Sequence, residues 1–166
     1  RGEWGFEGAV MTDWGGGYRG DAIVAAGNDM IQSWMVEKAG GICVAADEVN
    51  DCNWKNVGSE TVFTWNPEYI FCTSSTSLDY TVEEMEDDIA WSAIAAVKNG
   101  HTSVIPSRLD TWDMPGIAVV PGTFWMLHQM YPERFGTAAL EAEIGEYYQF
   151  MFGQSFDPDY LGYELS

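Results

Sequence analysis

Apolar and polar positions along the chain fall into short blocks whose period changes. Gly8–Thr12 (GAVMT) is an unbroken apolar run that ends on Asp13-Trp14 and a cluster of glycines, and it reads as a first strand. Residues 28–41 (NDMIQSWMVEKAGG) have helical spacing, with Ile31, Trp34, Met35 and Ala39 on one face and Gly40 as the stop. The run 41–46 is short and apolar, and 51–58 has mixed polarity and reads as a loop. Residues 59–65 (SETVFTW) predict a short helix capped by Ser59 and ended before Asn66-Pro67. In 68–73 (EYIFCT) the unbroken apolar middle predicts a strand buried on both faces.

The second half continues in the same rhythm. Thr81 and Glu84 have the spacing of a capping box. Residues 89–100 (IAWSAIAAVKNG) predict a helix, 101–106 (HTSVIP) a strand closed by Pro106, and 107–116 a polar and aromatic loop. Pro121 suits the first turn of a helix in which Phe124, Leu127, His128 and Tyr131 share a face, with Pro132 as its end. A last helix runs from Thr137 to Phe152 with Leu140, Ile144, Tyr147, Tyr148 and Met151 inward. Strands alternating with helices imply an α/β fold: a Rossmann-like, three-layer single lobe over residues 1–166, with a mainly parallel sheet. Parallel strands deliver their C-terminal ends to one edge, where open α/β sheets bind ligands. The loops after 8–12, 68–73 and 101–106 are therefore expected to meet.

Composition narrows the function. The 166 residues carry 26 acidic against 7 basic side chains, a net charge of −19. Such a surface repels phosphate backbones and no Lys/Arg cluster offsets it, so nucleic acid is excluded as a partner. Three cysteines (Cys43, Cys52, Cys72) with no CxxC, and two histidines (His101, His128), give no metal-site spacing. Cys72 reads as a buried small apolar residue. Cys43 and Cys52 are compatible with a disulfide in an exported protein and equally with two thiols. No run reaches the ~18–20 apolar residues of a membrane span. No signal peptide is visible at Arg1, which is compatible with a leader removed upstream.

Four stretches in order resemble the C-terminal lobe of class III substrate-binding proteins, which serve ABC importers of ferric siderophores, haem, cobalamin and related metal chelates. They are WMVEKAGGICVAAD, WKNVGSETVFTWNPEYIFCT, WSAIAAVKNGHTSVIPS and LDTWDMPG followed by FWMLHQMYPERF. The resemblance covers residues 31–166 and departs from the family pattern at Glu68, where an Asp is usual. It implies a metal-chelate ligand, an ABC permease as partner, no enzymatic activity and no cofactor. It also implies a periplasmic or extracellular location, with a lipoprotein anchor in the full-length protein. Residues 1–30, with RGEWGFEGAVMTDWGG and AAGNDM, resemble the nucleophile region of family 3 glycoside hydrolases instead, and Asp13 matches the nucleophile.

The chemistry separates these readings. Retaining glycoside hydrolysis needs two carboxyl groups about 5 Å apart, and a barrel of roughly 250 residues would hold them. No second acid here is distinguished by its context. Asp13 then reads as a strand-end residue, and a glycosidase fragment or a non-catalytic interaction domain stands as the alternative. Solute binding needs only a few polar and aromatic groups on the edge loops. The candidates are Trp14, Tyr18 and Arg19, then Thr73 and Ser74, then Arg108 and Trp112. Arg108 can pair with chelate oxygens or with Asp110 or Asp113, and Trp112 can stack on a ligand or anchor the core. The acidic run 83–88 reads as a solvated helix face, with permease docking as the sharper alternative. A lone lobe leaves its cleft face open, which predicts a homo-oligomer.

Overall fold

In a computed structural model of the protein, residues 9–13, 22–45, 54–73, 82–106 and 111–157 are described. The strands are β1 (Ala9–Asp13), β2 (Ala22–Ala26), β3 (Trp54–Gly58), β4 (Tyr69–Cys72) and β5 (Thr102–Val104). The helices are α1 (Ile31–Lys38), α2 (Ser59–Trp65), α3 (Val82–Asp87), α4 (Ala95–Asn99), α5 (Val119–Met130) and α6 (Thr137–Phe152). The strands form one sheet in the order β3-β2-β1-β4-β5. β1, β4 and β5 pair in parallel, while β2 is antiparallel to both β1 and β3. Only β2 is reversed, so the other four described strands share one direction. The fold is α/β, with a mainly parallel sheet.

β4 shows why the sheet carries helices on both faces. Ile70, Phe71 and Cys72 are all buried although adjacent side chains point to opposite sides. Phe71 meets Trp125 of α5 edge-on at 5.7 Å, and Tyr69 on the same side stacks against Phe71. α1 and α5 pack together over this face, α6 lies outside α5, and α4 packs against β4. The fully buried Phe71, Met35, Met126, Leu140 and Ile144 knit these layers together. Each such side chain contributes roughly 1.5–3 kcal/mol by leaving water.

Helix ends join the layers. α1 closes on Gly40 at φ +86°, where the Tyr131 ring lies 3.5 Å from the position a Cβ would take, and the Tyr131 hydroxyl donates to the Gly40 carbonyl at 2.8 Å. α2 closes on Asn66 at φ 42°, and the Asn66 Oδ1 accepts the Ala95 N–H at 2.9 Å, tying the end of α2 to the start of α4. The Thr102 hydroxyl donates to the Glu86 carboxylate and fixes α3 against β5.

Several sequence expectations shift. Residues 54–58 form a strand rather than a loop, because β3 gains a five-residue register with β2, a strand not read from the sequence. β3 runs straight into α2, so Gly58 takes the cap position and Ser59 is the first helical residue. The expected helix over 89–100 is helical only at 95–99. Before it, Asp88 Oδ1 accepts the Ala90 N–H and the Ser92 hydroxyl donates to the Ile89 carbonyl, both at 2.8 Å, and these local bonds compete with the helical ladder. The capping box falls partly outside the described residues, as does Cys52. Cys43 is buried with its Sγ 3.3 Å from Ser33 Oγ.

The helix faces also turn. α1 buries Gln32, Ser33, Met35 and Val36, while Trp34 is exposed with Lys38 Nζ 5.7 Å from its ring centre. α5 buries Val119, Gly122, Trp125, Met126 and Met130, and leaves Phe124, Leu127 and His128 half-buried. It lies between α1 and α6 and so needs a wider apolar surface than one stripe. α6 spans the expected residues and buries Leu140 and Ile144, with Met151 exposed.

Candidate functional site

The parallel register fixes the edge on which the candidate loops begin. Thr12 lies opposite Cys72, and Cys72 opposite Val104. One residue further, Asp13, Thr73 and Ile105 lie side by side across three strands, a span of about 10 Å. Asp13 ends β1 and Thr73, buried, follows β4 directly. Trp14, Tyr18, Arg19, Ser74 and Arg108 lie outside the described residues. The strand ends that lead into their loops are brought to this one edge, as the alternation of strands and helices implied.

The edge has a wall on one side. Val24 of β2 is opposite Asp13, so Ile23 and Ala22 continue past the end of β1, and β3 follows them to Gly58. Two residues of overhang raise this ribbon about 6–7 Å above the β1 terminus. The apolar run of β2 (AIVAA) was the available signal for this wall, while its pairing with the mixed-polarity β3 leaves no trace in the pattern.

The far side of the edge is closed by the segment after β5. The Trp112 N–H donates to the Pro106 carbonyl at 3.1 Å, which draws the two ends of the 107–111 loop together. The next residue is gripped from α1: Gln32 Nε2 donates to the Asp113 carbonyl at 2.7 Å, within a buried environment. α5 presses on the same segment through Gly122. A Cβ there would stand 2.3 Å from the Trp112 carbonyl oxygen and 2.8 Å from Met35 Cε. Gly122 is thus a glycine because two backbones approach too closely for a side chain.

This packing decides between the two readings of Trp112 as far as its position goes. Trp112 is 0% exposed and sits in the core between α1 and α5, not on an open cleft wall. Its Nε1–H and the Gln32 Oε1 are buried with no hydrogen-bond partner among the described residues. Gln32 and Gly122 were missed in the sequence, and Asp113 was read there only as an ion-pair partner for Arg108. The signal for Gln32 was present: positions 32, 35, 36 and 39 form the buried stripe of α1, and Gln32 is its polar member.

At the opposite end of the sheet a second polar group has a structural role. His101 stacks on Tyr69 at 4.3 Å and 6°, and its Nδ1–H donates to the Glu68 carbonyl at 3.1 Å. Burial, with the Glu68 carboxylate adding to it, raises the Tyr69 hydroxyl above the ordinary phenol range, and burial does the same for Tyr131. Among the described residues no three His, Cys, Asp or Glu side chains are grouped to hold a metal ion, and no helix is long and apolar enough to cross a membrane.

With the edge defined, comparison with known proteins identifies its setting. The family model described as periplasmic binding protein matches residues 8–109. The chain belongs to the periplasmic binding protein family. The match takes in β1 and Asp13, so the strand that resembles a glycosidase segment lies inside the binding-protein region and at the centre of its sheet. The molybdate-binding protein MolA of Haemophilus influenzae is 30% identical over 126 residues, which are 75% of this chain and 35% of MolA. A periplasmic solute-binding protein of Veillonella parvula superposes with TM-score 0.73 at 19% identity, over 95% of this chain and 46% of that one. CeuE of Helicobacter pylori, in a nickel–histidine complex, superposes with TM-score 0.72 at 18% identity, over 95% of this chain and 47% of that one. The chain spans about a third of MolA and just under half of the two solved relatives.

Proposed function

We propose that the chain is a solute-binding lobe of an ABC-type importer and that it takes a metal-bearing, anionic solute at the C-terminal edge of its sheet. The observation that carries this reading is the family match over 8–109, which includes every strand whose C-terminal end forms that edge. The solute class remains that of metal chelates: a ferric siderophore, haem or a cobalamin-type ligand. MolA, at 30% identity, is named for molybdate, which supports a second reading in which a metal oxyanion is the solute. Both are recognised by the same chemistry of cations and hydroxyl donors around oxygen atoms.

Arg108 and Arg19 supply charge to that solute, Thr73 and Ser74 supply hydroxyl and backbone donors, and Tyr18 and Trp14 supply aromatic contact. Arg19 and Arg108 are two of only seven basic residues in the chain, and the edge loops also hold Asp21, Asp79 and Asp110, so the charge they bring is local to each guanidinium. Trp112 acts from below, as the support of the 107–111 loop. An ABC permease is the partner, the periplasm is the place of action, and a lipoprotein anchor belongs to the full-length protein. No bond is made or broken; the cycle is capture and release.

The test is isothermal titration with sodium molybdate, a ferric catecholate and a ferric trihydroxamate. Binding of one of the three, lost in Arg108→Ala with the unfolding midpoint unchanged, supports the reading. Absence of heat with all three at millimolar concentration turns it toward a non-catalytic interaction domain.

A further inference from the structure

Position 32 is where the apolar stripe of α1 is broken. Met35, Val36 and Ala39 carry that stripe into the core, and Gln32 lies among them at 1% exposed. Stability does not ask for an amide there. A leucine would bury more apolar surface, and the Gln32 Oε1 is buried with no hydrogen-bond partner among the described residues, which is a cost. What the amide supplies is direction. An N–H bond fixes angle as well as distance, whereas an apolar contact lets two surfaces slide.

The bond also reaches across the sheet. Ser33, the next residue and 0% exposed, donates its hydroxyl to the Gly27 carbonyl at 2.8 Å, and the Met30 N–H donates to the same carbonyl at 3.1 Å. The first turn of α1 is therefore fixed to the chain that leaves β2. Gln32 then donates to the Asp113 carbonyl at 2.7 Å, on the segment that follows β5. β2 and β5 stand three positions apart in the sheet, about 14–15 Å. The loop whose ends meet at Pro106 and Trp112 is thus held at its root by a residue anchored on the other side of the sheet. α5 closes the same segment from behind, since a Cβ at Gly122 would stand 2.3 Å from the Trp112 carbonyl oxygen.

We propose that Gln32 is a positioning residue for solute binding: through the Asp113 carbonyl it sets where the 107–111 loop, and Arg108 on it, stands at the sheet edge. The proposal rests on the solute reading of that edge. Gln32 itself touches no solute, and Ser33 is the anchor at the other end of the brace.

Limited trypsin digestion reads the loop without any solute. Cleavage after Arg108 is compared with cleavage after Arg134, an exposed site in the turn after α5. The ratio cancels global unfolding, which opens both sites alike. Gln32→Leu, or Gln32→Met if that variant does not fold, raises the ratio about fivefold. It weakens by a similar factor the binding of whichever probe the natural protein takes among sodium molybdate, a ferric catecholate and a ferric trihydroxamate. Ser33→Ala acts in the same direction, and the double variant is no worse than either single one, because a brace cut at one end is already slack. Ile144→Val lowers the unfolding midpoint from a buried site on α6 and leaves ratio and affinity within about twofold. An unchanged ratio in Gln32→Leu overturns the proposal. So does a raised ratio with unchanged affinity, or an equal response in Ile144→Val. If the natural protein binds none of the three probes, the solute reading fails and takes the positioning role with it, while the cleavage ratio still shows whether the brace holds the loop.

Discussion

Gln32 and Asp113 lie 81 positions apart and meet through one buried 2.7 Å hydrogen bond from the Gln32 side-chain amide to the Asp113 carbonyl. This bond joins the first turn of α1 to the segment that closes the loop after β5. Gln32→Leu keeps the volume but removes the amide donor to the Asp113 carbonyl in a site that is 1% exposed. The expected cost is about 0.5–1.5 kcal/mol, the net worth of one hydrogen bond. Urea unfolding measures it. The local effect is faster hydrogen exchange at the Trp112 N–H, which bonds to Pro106 at the mouth of the same loop. An unchanged midpoint and unchanged exchange would show that the contact holds nothing.

Gly122→Ala tests the same junction from the other side. The added methyl meets a backbone carbonyl at 2.3 Å and Met35 Cε at 2.8 Å. The Met35 end can swing away, but the Trp112 backbone cannot move without breaking its bond to Pro106. Overpacking of this kind costs about 1–3 kcal/mol or more, against the gain in helix propensity of up to about 1 kcal/mol that Ala normally brings over Gly. A lower Tm is therefore expected. Gly145→Ala on α6, where a Cβ meets nothing within 4 Å, is expected to raise it.

These two sites show what the sequence revealed and what it did not. The parallel strands 9–13, 69–72 and 102–104 were legible because unbroken apolar runs between helices have few other places to go. α6 was legible because sixteen residues of helical spacing outweigh any local competitor. β3 (WKNVG) was hidden because a strand of mixed polarity is made by its neighbour's backbone, and that pairing leaves no periodic trace; β2 (AIVAA) is an apolar run like the other strands, and its signal was passed over. The phase of α1 was misread because Gln32 and Ser33 are polar yet buried, while Trp34 is apolar yet exposed. The edge was legible as a place. Its overhanging wall and its Gln32–Asp113 brace were not, since both depend on contacts between distant segments.

The pH dependence of stability at the alkaline end follows from Tyr69 and Tyr131. Both hydroxyls titrate above the ordinary phenol value, chiefly through burial. Their neutral forms are therefore favoured in the folded state. The resulting stability is fully present below about pH 10, where unfolded tyrosine is still neutral, and is lost as pH rises through the folded values. An absorbance titration of phenolate is expected to show a late component that is absent in Tyr69→Phe/Tyr131→Phe. Ionisation of all tyrosines at the ordinary value would contradict it.

Trp112 separates support from contact. Removing a fully buried indole in Trp112→Ala is expected to cost about 3–5 kcal/mol, enough to unfold a marginal domain before binding can be read. Trp112→Phe is milder and keeps most of the apolar volume. It also removes the indole N–H, which has no partner among the described residues. With Trp112 as a support, Trp112→Phe retains solute affinity within about threefold and Arg108→Ala abolishes binding. If Trp112→Phe loses affinity as fully as Arg108→Ala while its stability holds, the indole touches solute and its burial opens on binding.

Asp13 distinguishes a binding edge from a catalytic one. It ends the central strand of the sheet, with Val24 opposite on β2 and Thr73 beside it past β4. Hydrolysis requires a second carboxyl group at a defined separation, whereas binding requires only that the charge at this edge suit the solute. For an anionic solute the Asp13 carboxylate is an unfavourable neighbour. Asp13→Asn is then expected to tighten binding by about two- to fivefold at low salt, with the gain shrinking as ionic strength rises. Neither protein is expected to cleave a chromogenic β-glucoside. Cleavage by the natural chain that disappears in Asp13→Asn would return the residue to the role of nucleophile. A weaker solute affinity in Asp13→Asn would mean instead that the carboxylate meets a cationic part of the solute.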